Sequence, residues 1–151
     1  MKIEKASKSD LGDIVSLKIQ MFKDAELLHL LADNSQDTIQ RTYIELYKEK
    51  MVQHFIYRSE GKIVAMAGGF IKDDFPYCFY KNGRYGFVGD MFTQADFRRQ
   101  GLAQQLLSRT LLWFRESNIS HVQLLSSKDG KELYRKNGFI EKMDLMSLEL
   151  V

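Results

Sequence analysis

The chain has 151 residues, of which 44% are hydrophobic and 28% charged, and this length and composition predict one folded domain spanning residues 1–151. A net charge of +2 indicates neither a nucleic-acid-binding nor a membrane-surface protein, and the single cysteine, Cys78, excludes an intrachain disulfide and a cysteine-built zinc site. No apolar run is long enough for a signal peptide or a membrane span, so we expect a cytoplasmic protein.

The N-terminal third predicts a short strand followed by two helices. Residues 2–6 form the strand, and Ser9 or Asp10 caps the first helix. Asp37 with Gln40 resembles a capping box at the start of the second helix. Apolar residues recur at helical spacing in both segments. They are Leu11, Ile14, Val15, Leu17, Met21 and Phe22 in the first, and Ile39, Tyr43, Leu46, Tyr47 and Met51 in the second.

The rest of the chain predicts a mainly antiparallel sheet interrupted by two more helices. Residues 52–57 and 63–71 flank a hairpin-turn signal, and residues 85–93 form a further strand. A long helix begins after Gly101 and buries a leucine-rich face, whereas a shorter helix runs from Ser127 to a cap at Asn137-Gly138. Strands at residues 122–125 and 146–151 complete an α/β (α+β) domain of order β-α-α-β-β-β-α-β-α-β, with a mixed, mostly antiparallel sheet flanked by helices.

The segment Arg98-Arg99-Gln100-Gly101-Leu102-Ala103 is the most informative in the chain. It leads into a helix whose first amides are unpaired and lie at the positive end of the helix dipole. Gly101 has no Cβ to obstruct a ligand, and the two arginines add permanent positive charge. These features favour a diphosphate site. A solvated arginine pair beside an ordinary turn glycine is equally compatible with the residues alone, and the segment is neither a P-loop nor a dinucleotide fingerprint.

Two blocks of the sequence resemble the GNAT superfamily of acyl-coenzyme A dependent N-acetyltransferases. The first is Phe92-Thr93-Gln94-Ala95-Asp96-Phe97-Arg98-Arg99-Gln100-Gly101-Leu102-Ala103, and the second is LLSSKDGKELYRKNGF, some twenty residues later. The resemblance implies an enzyme that moves an acetyl group from acetyl-CoA directly to a primary amine, with no metal. It implies a bulged strand, splayed from the next, that offers main-chain groups to the pantetheine arm.

The resemblance also assigns roles to residues. The Met91 amide would polarise the thioester carbonyl, and Tyr134 would protonate the departing thiolate. Ser127 would lie near the pantetheine arm. The residues implied to bind the cosubstrate are Met91, Phe92, Thr93, Arg98, Arg99, Gln100, Gly101, Leu102, Ala103, Gln104, Ser127 and Tyr134.

The positions that often carry a general base in this family hold no ionisable side chain in this sequence. Family members often carry a glutamate or histidine two or four residues before the Met91 position, where this chain has Gly89 and Phe87. Asp90 is the nearest ionisable side chain, and it would attract a cationic amine or accept its proton, directly or through water. A solvated or turn-bonding aspartate is the alternative.

Other functions are less well supported. The missing glutamate leaves open an acyl-CoA sensor or scaffold that does not turn over, and nucleic-acid binding through the C-terminal arginines fits less well than a small phosphate ligand. His29, His54 and His121 lack metal-ligand spacing, Cys78 has no histidine nearby in sequence, and Ser126 and Ser127 lack a nucleophile-elbow context. The resemblance implies a small-molecule or protein amine as the acceptor, and it also implies a possible homodimer. The aromatic segment 75–80 has no assigned role.

Overall fold

The computed structural model describes residues 2–74, 83–142 and 146–150. These residues contain five strands, namely β1 (Glu4–Lys5), β2 (Val52–Ser59), β3 (Lys62–Asp73), β4 (Arg84–Thr93) and β5 (Val122–Leu124). The four α-helices are α1 (Leu11–Asp24), α2 (Ser35–Lys48), α3 (Leu102–Glu116) and α4 (Lys131–Lys136). Their sequence along the chain confirms the predicted fold class and the predicted order up to the last helix.

The strands form one sheet in the order β1-β2-β3-β4-β5. Every pair is antiparallel except β4 and β5, which are parallel because the chain crosses over through α3 between them. The predicted β2–β3 hairpin is confirmed. Its two turn residues, Glu60 and Gly61, both have positive φ, at 49° and 79°, as a tight hairpin turn requires.

Helices cover both faces of the sheet. On one face, α1 and α2 enclose a core in which Ile14 and Tyr43 belong to the same cluster as Ile56 and Phe92. On the other, Leu102 and Leu106 of α3 pack with small and aromatic side chains of β2 and β3. The α3 residues Leu102, Leu106, Leu107, Thr110 and Phe114 are all buried, which confirms the predicted face of this helix. Burying each leucine fully contributes roughly 1.5–3 kcal/mol to folding.

Two predicted helix caps need correction. The first helix begins after Asp10, as expected, but the Asp10 carboxylate accepts the Ser7 amide instead of capping α1. It also pairs with Arg58. The second helix begins at Ser35 after Asn34, so Asp37 lies inside the first turn and the predicted capping box with Gln40 is wrong. An aspartate in a first turn still favours the helix through its dipole.

The predicted C-terminal strand is also wrong for the residues that the structure describes. Residues 146–150 adopt no strand, and Met146, Leu148 and Leu150 are each more than four-fifths exposed. An alternating pattern identifies which side chains would share a face, but a strand also needs a neighbour to hydrogen-bond with. In the described ranges, no helix has the length and apolar character needed to cross a membrane.

Candidate active site

The parallel pairing of β4 and β5 is short, and we use the word cleft for the space beside the part of β4 that is not paired with β5. The two strands pair only from Gly86 opposite Val122 to Val88 opposite Leu124. The described part of β5 ends at Leu124, whereas β4 continues for five further residues to Thr93. Among the described residues, no strand pairs with the second half of β4 on the β5 side, and its main-chain groups there are not used in a β5 ladder.

A β-bulge lies in this second half of β4. Met66 pairs with Phe92 and Gly68 with Gly89, so Asp90 and Met91 together oppose the single residue Ala67. Asp90 has a φ of 51°, in the left-handed region. The Met91 side chain is half-buried and belongs to apolar clusters on the α3 face, whereas Phe92 is buried on the α1 and α2 face. Only the main chain of Phe92 is therefore suited to contact a ligand in the cleft.

The chain runs from the end of β4 at Thr93 through residues 94–101 to the start of α3. Gly101 precedes the helix with a φ of 79° and ψ of 6°, and no side chain caps it. Among the described residues, no acceptor lies within hydrogen-bond distance of the main-chain amides from Gln100 to Gln104, and the first helical bond is donated by Gln105. A Cβ added to Gly101 would meet no atom within 4 Å. The structure thus leaves these amides without a hydrogen-bond partner in the described residues, beside an unobstructed Gly101, and a helix start of this kind is suited to binding phosphate.

Side chains around this helix start are partly committed to protein contacts. Arg98 donates from Nε to the Thr93 carbonyl at 2.9 Å and pairs with Asp24 at 3.2 Å, so it stabilises the loop and contributes positive charge. Gln104 exchanges two hydrogen bonds with Asn137, which ties α3 to the end of α4. Arg99 is exposed and also has a positive φ, at 63°.

Next to the bulge lies a set of buried and half-buried polar groups that we call the Asp90 cluster: Asp90, Tyr43 and His54, which are buried, and Lys18 and Tyr47, which are half-buried. The Asp90 carboxylate pairs with the Lys18 ammonium, accepts the Tyr43 hydroxyl at 2.5 Å and lies 2.9 Å from Nε2 of His54. Burial alone would raise the pKa of Asp90, but the hydrogen bond from His54 and the charge of Lys18 outweigh it and hold that pKa well below its usual range. Burial raises the pKa of Tyr47 to about 12.

The family profile for the acetyltransferase (GNAT) family matches residues 20–139, across both the bulge and the α3 start. The chain belongs to the GNAT acetyltransferase family. Members of this family take their acetyl group from acetyl-CoA, which is therefore the cosubstrate of this acetyltransferase. No group of three or more metal-binding side chains occurs in the described ranges.

Solved structures agree with this assignment. The acetyltransferase is similar to a predicted acetyltransferase from Clostridium acetobutylicum solved with acetyl-CoA, with a TM-score of 0.88 and 24% identity over 98% of this chain and 95% of that one. A GCN5-related N-acetyltransferase from Ralstonia eutropha JMP134 is similar with a TM-score of 0.86 and 18% identity, over 98% of this chain and 97% of that one. The aminoglycoside 6'-N-acetyltransferase AAC(6')-IG from Acinetobacter haemolyticus is similar with a TM-score of 0.73 and 19% identity, over 100% of this chain and 99% of that one. At these identities the likeness is one of fold. No curated protein matches the sequence significantly.

Tyr134 lies on α4 with its ring buried on the α3 side of the sheet. It belongs to the same apolar cluster as Val88 and Leu107, against which Met91 packs, so two of the three predicted catalytic residues, Met91 and Tyr134, have side chains on the α3 face of the sheet. Its ring meets Phe139 edge-on at 5.8 Å. Burial raises the pKa of the Tyr134 phenol, which keeps it protonated at neutral pH. Ser127 is exposed, and its hydroxyl accepts the Gly130 amide at 3.3 Å.

Sequence reasoning missed most of the Asp90 cluster. His54 lacks metal-ligand spacing in the sequence, and the structure places it in strand β2, where it is fully buried and hydrogen-bonded to Asp90. The available signal was its position in the predicted strand 52–57, directly before Phe55 and Ile56. The aromatic segment 75–80, which includes Cys78, lies outside the described residues.

Proposed function

We propose that this acetyltransferase transfers the acetyl group of acetyl-CoA directly to a primary amine, with the diphosphate of the cosubstrate bound at the start of α3. The observation that carries the proposal is that the amides from Gln100 to Gln104 have no hydrogen-bond acceptor in the described structure, while a Cβ at Gly101 would meet no atom within 4 Å. Arg99 is exposed next to these amides and adds a charge that complements a diphosphate.

The reaction needs three adjustments: the amine must lose a proton, the carbonyl oxygen must be stabilised as it becomes negative, and the departing thiolate must gain a proton. The amine nitrogen attacks the thioester carbonyl carbon, and the Met91 amide donates a hydrogen bond to the oxygen that becomes negative. The carbon–sulfur bond then breaks, and Tyr134 gives its proton to the thiolate sulfur. The main chain of residues 91–93 orients the pantetheine arm in the cleft, and Ser127, three residues after the end of β5, lies near that arm. Holding the two substrates together supplies much of the rate enhancement.

The structure changes the role proposed for Asp90. Its carboxylate accepts three donors and is buried, so it is a poor proton acceptor and its charge is already balanced by Lys18. We therefore propose that ordered water removes the amine proton. An acceptor amine would have to displace the Lys18 ammonium to pair with Asp90.

An amine panel tests the proposal. The protein is incubated with acetyl-CoA and small amines, amino acids, aminoglycosides and peptide N-termini, and free thiol is measured with and without each acceptor. Amine-dependent thiol release, with mass spectrometry showing the acetylated amine, supports N-acetyl transfer. Tight acetyl-CoA binding with no amine-dependent release would instead favour the sensor or scaffold alternative. A cytoplasmic location and a homodimer remain predictions.

A further inference from the structure

The β4 bulge turns the Asp90 side chain from one face of the sheet to the other. Val88, two residues earlier, packs in the cluster with Leu107 and Phe114 on the α3 face. Strict alternation would place Asp90 on that face as well. The extra residue in β4 and the left-handed backbone at Asp90 send its carboxylate to α1 and α2 instead. The following peptide carries the Met91 amide, so the orientation of Asp90 and the direction of that amide are linked.

Three secondary-structure elements hold the Asp90 carboxylate in this orientation. Lys18 comes from α1, Tyr43 from α2 and His54 from β2, and each donates to the carboxylate. Only 1% of the Asp90 side chain is exposed, and no buried side-chain polar atom in the described structure lacks a partner. Rotating the carboxylate would therefore break several buried hydrogen bonds at once, which opposes relaxation of the bulge.

His54 is itself set as a hydrogen-bond donor toward Asp90. The Tyr47 oxygen accepts the His54 main-chain amide at 3.1 Å and lies 3.0 Å from Nδ1 of His54. The Asp90 carboxylate, whose pKa is held low, is ionised and can only accept, so Nε2 of His54, 2.9 Å away, carries the proton of the hydrogen bond between them. The neighbouring strand also leaves room for this ring. A Cβ at Gly68 would lie 2.9 Å from Nε2 of His54 and 2.8 Å from the Phe70 ring.

We propose that His54 is a positioning residue for acetyl transfer: by holding Asp90, it fixes the β4 bulge and with it the direction of the Met91 amide. Tyr47 supports His54 in the same role. The inference rests on the proposed function, because a fixed Met91 amide matters only if that amide stabilises the reacting carbonyl. It predicts that the catalytic step depends on the Asp90 cluster while binding of the cosubstrate diphosphate does not.

The kinetic test uses His54→Leu, with Ile56→Ala as its matched control. Ile56 lies on the same strand, is fully buried and packs in the same core, but it belongs to no polar network. We expect His54→Leu to lower kcat by roughly 10–100-fold, because small misplacements at a reacting centre have effects of that size. The Kd for acetyl-CoA should change less than about threefold. Ile56→Ala should lose stability while keeping kcat close to that of the wild type.

Two further variants keep the test decisive if His54→Leu does not fold. His54→Gln retains an amide donor toward Asp90 and should recover part of kcat. Tyr47→Phe removes only the hydroxyl that orients His54, and it should lower kcat by a smaller factor than His54→Leu does. The amide resonance of Met91, followed by ¹H–¹⁵N NMR, should move in Tyr47→Phe and His54→Leu and stay in place in Ile56→Ala.

The outcomes separate this inference from the proposed function. Equal losses of kcat in His54→Leu and Ile56→Ala would overturn the inference and leave His54 with a structural role. An unchanged Met91 resonance in His54→Leu and Tyr47→Phe would overturn it as well. A wild-type protein with no amine-dependent thiol release would contradict the proposed function, and the Met91 resonance would then decide the positioning claim alone.

Discussion

Replacing Gly101 with alanine separates the ligand-binding role of this residue from its conformational role. Gly101 and Gly61 have the same φ, 79°, and a Cβ added at either position would meet no protein atom within 4 Å. Gly61 lies in the β2–β3 turn, whereas Gly101 precedes α3. Gly61→Ala is therefore a matched control with the same backbone cost and no place in the proposed diphosphate site.

The expected magnitudes follow from these geometries. A left-handed alanine costs ~1–2 kcal/mol, and for a domain of this size each kcal/mol lowers Tm by ~2–4 °C. Both variants should therefore lose ~2–8 °C in Tm. Only at Gly101 does the new methyl group enter the space above the unpaired amides. Weakening one charge-assisted hydrogen bond there costs ~1.5–3 kcal/mol, so we expect the Kd for coenzyme A to rise at least about tenfold.

The assay combines calorimetric titration of coenzyme A with thermal unfolding of the same samples. Titration with S-acetylpantetheine, which lacks the diphosphate, provides a ligand control, and its Kd should be similar in the wild type and in Gly101→Ala. An equal loss of coenzyme A affinity in Gly61→Ala and Gly101→Ala would refute the reasoning, because the effect would then reflect stability. Unchanged affinity in Gly101→Ala would place the diphosphate elsewhere.

Three other predictions concern the bulge and its surroundings. Tyr134→Phe should lower kcat by roughly tenfold or more with near-normal coenzyme A affinity, because thiolate departure then lacks its acid; wild-type turnover would reject the assignment. Folding lowers the pKa of Asp90 from 3.8, so the ion pairs of Asp90 stabilise the fold above that pH. The Tm should therefore fall more steeply below about pH 4 in the wild type than in Asp90→Asn. Parallel curves of Tm against pH would contradict this linkage. Gly68→Ala should lower the free energy of unfolding by ~1–3 kcal/mol, because the new Cβ would contact His54 and Phe70. Gly12→Ala, in α1 with no atom near the added Cβ, should raise it by ~0.5–1 kcal/mol. Denaturant unfolding measures both values, and equal effects would show that the sheet adapts at Gly68.

The parts of the site that depend on local backbone structure were predictable. The start of α3 combines a glycine that tolerates positive φ with a helical pattern, and both signals lie within about fifteen residues of one another. The β2–β3 hairpin is similar, since its turn and flanking strands are adjacent in sequence. These features were predicted with the correct type and nearly correct bounds, because short-range sterics and hydrophobic periodicity determine them.

Predictions that required a distant partner were less successful. Residues 146–150 alternate like a strand but form none in the described structure, because alternation does not supply a neighbouring strand. Asp37 and Gln40 fit a capping pattern, yet α2 begins two residues before Asp37, at Ser35. The role of Asp90 was left between a base, a cation site and a solvated residue, and the structure shows a fourth arrangement.

The amino-acid sequence alone determined the family, the order of the elements through α4, and the glycine-led helix start that faces the proposed diphosphate. Tertiary structure alone decided that Asp90 turns away from the α3 face and meets Lys18, Tyr43 and His54, which lie 72, 47 and 36 residues away along the chain. A carboxylate becomes a base or a fixed anchor according to the donors that surround it and the water that it loses. Those surroundings exist only after α1, α2 and β2 have packed around the bulge.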